Sequence, residues 1–219
     1  MAYRKRGGKY KRYRRYKRAY RKGGFWGLAK KAATGVVKYY LNPEYKFLDA
    51  AASGLAVVDT GTIVATQSLI AQGLTNTDRD GNSIKITSWL YRATMDINGT
   101  NNARVRIVAF TDTSSNGAAP AISDVFQSSL GLLINAPMNR VNGKRFHVLY
   151  DRNYILDNDN PKHTCEVFKK MQHHIHYLTT TATTASLGQG PIYLAYISDQ
   201  PAPNAPTLNW TSRMRFLDN

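Results

Sequence analysis

The stretch Ser83–Thr111, SIKITSWLYRATMDINGTNNARVRIVAFT, decides the fold. Ser83–Ile97 and Ala103–Thr111 are runs dominated by Ile, Thr, Val and aromatic residues, and Asn98-Gly99 between them is turn chemistry. Two strands joined by a short turn are the expected result. In the second of them Arg104 and Arg106 alternate with Val105 and Ile107, which puts both guanidiniums on one face and the apolar side chains on the other. That arginine face is expected either to line an interior and meet a polyanion or to be a solvated, salt-bridged outer surface.

The same texture extends in both directions. Further strands are predicted at Val57–Ile70, Arg145–Leu156, Cys165–Thr179, Pro191–Ser198 and Leu208–Leu217, bounded by turns such as Asp80-Gly81, Asn142-Gly143 and Asn160-Pro161. One or two helical turns are expected around Ile122, Val125, Phe126 and Ser129, and a short strand near Leu132–Asn135 would be an eighth. Tyr45–Gly54 reads as a linker. Seven or eight short strands with few helices predict an all-β, antiparallel sandwich or jelly roll in one unit, and no fixed 20–50 residue period suggests a solenoid or propeller. The lone cysteine, Cys165, excludes an intramolecular disulfide.

Upstream the text changes. Residues 1–43 hold 15 of the 30 Lys and Arg residues and none of the 14 acidic ones, so nearly the whole formal charge of +16 belongs to one tail and the rest of the chain is close to neutral. The expected organisation is a basic arm over 1–43 and a shell domain over 44–219. Arg4, Lys5, Arg6, Lys9, Lys11, Arg12, Arg14, Arg15, Lys17, Arg18, Arg21 and Lys22 repel one another, so this segment cannot build a core by itself. Tyr10, Tyr13, Tyr16 and Tyr20 recur at intervals of three, three and four, a spacing that would gather them on one side of a helix formed on binding. Cations neutralise phosphates and release counterions whatever the base sequence, while tyrosine faces stack on unpaired bases. Single-stranded nucleic acid is the ligand this composition favours. A nuclear-import signal is the competing reading of such a run and is compatible with packaging.

From Phe25 to Tyr40 an apolar face of Phe25, Leu28, Ala29, Ala32 and Val36, with Lys30, Lys31 and Lys38 largely off it, predicts a short amphipathic helix ended by Asn42-Pro43. It is expected to dock under the sheet and to add three cations to the interface; a membrane contact is the alternative. No window supplies the roughly 18 apolar residues of a membrane helix, and arginines stand where a signal peptide would be apolar.

Enzyme motifs are few. His174 and His176 would share one face of a strand and spell the histidine–hydrophobe–histidine pattern of nicking endonucleases. No tyrosine has lysine three residues later, as such enzymes usually require, so surface or interface histidines are expected. Asp78-Arg79-Asp80-Gly81-Asn82 resembles a calcium loop faintly, but Thr87 occupies the place of its closing glutamate, and a tight β-turn is expected. There is no phosphate-binding loop, nucleophile elbow or zinc-protease motif. Neither a catalytic centre, a metal nor a cofactor is expected.

The arm's opening Tyr3–Tyr13, the segment Asp78–Ile86, the stretch Arg145–Asp151 reading RFHVLYD, and the end around Trp210–Phe216, in this order, resemble the capsid proteins of small circular single-stranded DNA viruses. More distantly they resemble those of the satellite viruses of necrosis viruses. The resemblance implies a single eight-stranded jelly roll assembled into an icosahedral shell of about 60 copies, arms inward. The likeness does not decide the sugar, because the satellite group packages RNA. A single-stranded DNA genome is the expected cargo with RNA the alternative, and the basic run leads us to expect a virion protein that passes through the host nucleus by way of the import machinery. A non-assembling single-stranded nucleic-acid-binding protein is the rival from another class.

Overall fold

The computed structural model describes residues 45–127 and 132–218. Among them lie eight strands: β1 (Tyr45–Ala56), β2 (Thr62–Val64), β3 (Ser83–Asp96), β4 (Ala103–Asp112), β5 (Phe146–Leu156), β6 (Lys162–His176), β7 (Ile192–Ser198) and β8 (Thr207–Asp218). They form two four-stranded sheets, ordered β1-β8-β3-β6 and β2-β7-β4-β5. All neighbouring pairs are antiparallel. The chain crosses from one sheet to the other at every connection except β4–β5. Two interlocked Greek keys of this order are a jelly roll, so the expected fold class is observed.

The eighth strand is not where the sequence suggested. Tyr45–Gly54, read as a linker, belongs to β1, which pairs with β8 from Tyr45 opposite Leu217 to Ala56 opposite Thr207. Its run of alanines has weak β-propensity, but Ala52 lies opposite Trp210 and Ala50 opposite Ser212. Small residues leave room there for the indole, and packing overrides propensity. Of the predicted Val57–Ile70 strand only Thr62–Val64 is extended, followed by a 3-10 turn at Thr66–Ser68. Leu132–Asn135, the other candidate, holds a 3-10 turn at Leu133–Asn135 instead.

Between the sheets, Trp89, Tyr91 and Met95 of β3 and Leu208, Met214 and Phe216 of β8 are fully buried. Trp89 stacks on Tyr91 at 5.7 Å and its indole N–H donates to the Ser212 hydroxyl at 2.9 Å. Cys165 points inward near Tyr154, and burial pushes its thiol up despite hydrogen bonding from that tyrosine.

The two sheets differ on their outer faces. Along β8, buried and exposed residues alternate, as in a sheet with one face in water. β7 is buried at every position and β4 at nearly every one, which requires cover on both sides. The long β4–β5 connection supplies it. Its helix α1 (Ile122–Val125), Phe126, Ile134 and Ala136 pack over the second sheet. Gly61 is fitted under this cover: its φ is +71°, and a Cβ there would come within 3.0–3.2 Å of Ile122, Leu133 and Ile197.

Candidate nucleic-acid interface

The arm residues from Arg4 to Lys38, including the predicted helix, lie outside the described residues. Arg104 and Arg106 can be placed, and both are engaged within the protein. Arg104 donates through Nε to Asp199 at 3.0 Å, and its backbone N–H donates to the same carboxylate at 2.8 Å. Arg106 makes a fork on Asp151 at 2.8 and 2.7 Å, donates to the carbonyl of Ala136 at 2.6 Å, and lies 5.1 Å over the Phe126 ring. The alternation that puts both arginines on the outer face of β4 is observed. The β4–β5 connection then closes over that face, so Arg106 is only 7% exposed and offers little surface to a polymer. A buried, bidentate pair of this kind positions the connection rather than a ligand.

The histidines separate in the same way. His174 and His176 are exposed on the outer face of β6, whereas His173 points inward, its Nε2 2.7 Å from the Gly190 carbonyl. The nearby Tyr177 is buried, and its hydroxyl donates to the Ser68 carbonyl at 3.1 Å. No nucleophile faces the histidine pair from there. Among the described residues no three His, Cys, Asp or Glu side chains gather to hold a metal.

The Asp78–Asn82 segment is a structural loop whose centre is already cationic. Arg79 is fully buried, donates to the carbonyls of Ile70, Gly81 and Thr179, and sits 4.2 Å over the Tyr177 ring. Asp80 and Asp218 are both paired to Lys46 at 2.8 Å. Burial opposes charge on Lys46, but those two carboxylates outweigh it and hold its pKa above the ordinary lysine value.

One broad surface is left uncovered by any described residue: the outer face of β1-β8-β3-β6. Strand register arranges its side chains in rows across the sheet. Tyr45, Leu217, Lys85 and His174 form one row, and Phe47, Arg215, Ser88 and Lys170 the next. Asp49, Arg213, Leu90 and Phe168 follow, then Ala51, Thr211, Arg92 and Glu166. Small side chains at Ala51, Thr164 and Thr211 leave a shallow open depression across the fourth row. The carboxylates on this face are neutralised in place: Asp49 by Arg213 at 2.7 and 2.6 Å, Glu166 by Arg92 at 2.7 Å, and Asp96 by Lys162 at 3.3 Å. The Arg213 hydrogen bonds hold the Asp49 carboxyl below its ordinary range. Lys85, Lys170 and Arg215 take no part in the ion pairs of the described residues. Sequence reasoning missed these three. Their signal was period-two alternation, Lys85 between Ile84 and Ile86 and Arg215 between Met214 and Phe216.

With the jelly roll established, the family comparison decides the class. The family model "Satellite tobacco necrosis virus coat protein" matches residues 27–219. The chain belongs to that coat protein family. A curated relative, the coat protein of Maize white line mosaic Satellite virus, is 27% identical over 215 residues, covering 94% of this chain and 96% of that one. Among solved structures, Desmodium yellow mottle tymovirus overlaps 80% of this chain and 86% of its own at 9% identity and a TM-score of 0.36. Cocksfoot mottle virus overlaps 80% and 84% at 7% identity and a TM-score of 0.37. Scores that low carry no argument; the strand order does. Membership in a coat protein family makes this a structural protein of the virion rather than an enzyme. The comparisons bear out the satellite necrosis virus side of the expected resemblance and do not show the circular DNA virus side. Neither a DNA cargo nor a nuclear stage draws support from them.

Proposed function

We propose that this coat protein closes into an icosahedral shell of about 60 copies and packages a single-stranded RNA genome. In this reading residues 1–43 are the packaging arm and 44–219 the wall. The observation that carries it is the segregation of charge: half of the 30 basic residues, and no acidic one, stand in the first 43 positions, ahead of a body that is nearly neutral. Arg12, Arg14, Arg15 and Arg18 with their neighbours neutralise phosphate, and Tyr10, Tyr13, Tyr16 and Tyr20 stack on unpaired bases. Such contacts are indifferent to base sequence and strongest on single strands. The RNA assignment follows the family, in place of the DNA expected from the sequence. Virions purified from infected tissue test it by digestion of their extracted nucleic acid. RNase should destroy the packaged polymer and DNase leave it whole; the reverse outcome restores the DNA genome, and protein found only as free subunits on the polymer defeats the shell.

A further inference from the structure

We infer that the open face of β1-β8-β3-β6 is a second polynucleotide contact, built from Tyr45, Phe47, Lys85, Lys170 and Arg215. The inference rests on the packaging reading above and adds a site in the body to the one in the arm.

Charge gives the chemistry. Register puts six cations on this face, Lys85, Arg92, Lys162, Lys170, Arg213 and Arg215, against the three carboxylates of Asp49, Asp96 and Glu166. Each carboxylate is matched to its own partner. The surplus of Lys85, Lys170 and Arg215 is not scattered. Arg215 and Lys170 flank Ser88 in one row, about two strand spacings or ~10 Å apart, and Lys85 lies in the adjoining row. Exposed aromatic rings stand in those same two rows: Tyr45 is 59% and Phe47 39% exposed. Cations interleaved with the exposed Tyr45 ring and with Phe47, one face of which carries the Arg213 guanidinium at 5.3 Å, on a face too shallow to enclose a small molecule, fit a single strand whose bases stack while its phosphates are neutralised. On the other sheet the outer side of β4 and β7 is covered by the β4–β5 connection.

The test is a salt titration of full-length protein binding to a fluorescent oligouridine. Lys85→Gln, Lys170→Gln and Arg215→Gln together should flatten the dependence of log K on log salt by about 2, near 0.7 for each phosphate lost on a single strand. Exchanging the same three for the opposite cation, Lys85→Arg, Lys170→Arg and Arg215→Lys, should keep the slope. Tyr45→Ser with Phe47→Ser should leave the slope alone and weaken binding at least about 30-fold. All of these side chains lie on an uncovered face, and unchanged circular dichroism checks that the variants fold. A wild-type slope in the glutamine variant overturns the site. If the arginines of the arm still control the slope in that case, the packaging function stands without this face. A glutamine variant that keeps its slope yet no longer forms particles shows a contact between copies, and also overturns it.

Discussion

Replacing Arg79 with leucine should cost the shell domain about 4 kcal/mol, because the buried Ile70 carbonyl and the part-buried carbonyls of Gly81 and Thr179 lose their donor at once and each unsatisfied group costs about 1–3 kcal/mol. The guanidinium is fully buried among the described residues and pairs with no carboxylate there. It is held instead by the Ile70, Gly81 and Thr179 carbonyls and the Tyr177 ring. Burial lowers its pKa from the arginine value, though an arginine stays protonated throughout the working range. Its backbone is equally committed, with N–H to the Ala71 carbonyl and C=O to the Gly73 N–H, both at 3.0 Å. One side chain thus ties the β2–β3 loop to the segment after β6. In thermal unfolding of unassembled protein the midpoint should fall by about 8–16 °C, and Arg79→Lys should recover only part, since one ammonium cannot reproduce the fork. A change below about 1 kcal/mol would mean that the loop is held by its other contacts.

Removing four arm charges, with Arg12, Arg14, Arg15 and Arg18 all changed to Ala, should flatten the salt dependence of polynucleotide binding by about 3 and weaken every base sequence alike. Circular dichroism checks that the variant still folds. An unchanged slope would place the phosphate grip elsewhere. Preference for one base sequence would contradict a contact made of phosphate neutralisation and stacking.

Strands with strong local character are legible in the amino-acid sequence. β3, β4, β5, β7 and β8 fall close to their predicted spans, and the Asn98-Gly99 turn carries Gly99 at φ +63°. What fails is local signal without its partner. β1 is alanine-rich and becomes a strand because β8 supplies its ladder and Trp210 fills the space its small side chains leave. The apolar run at Leu132–Asn135 resembles a strand, but Ile134 is buried as a plug over the second sheet. Arg106 shows the limit most clearly. Period two tells which face it occupies and cannot tell that a distant loop covers that face. A clue is present in Ile192–Ser198, IYLAYIS, whose unbroken apolar character signals a strand covered on both sides. By the same logic the alternation of β8 marks an open face and, with it, Arg215.

The central claim is a division between a wall that assembles and an arm that fills it. Electron microscopy of full-length protein beside protein lacking residues 1–22, each with its ultraviolet absorbance ratio, tests that division most directly. Full-length chains should form small round particles rich in nucleic acid, and truncated chains should give empty shells or none. Truncated particles filled like the full-length ones, or full-length chains that stay monomeric beside a polynucleotide, would contradict the account.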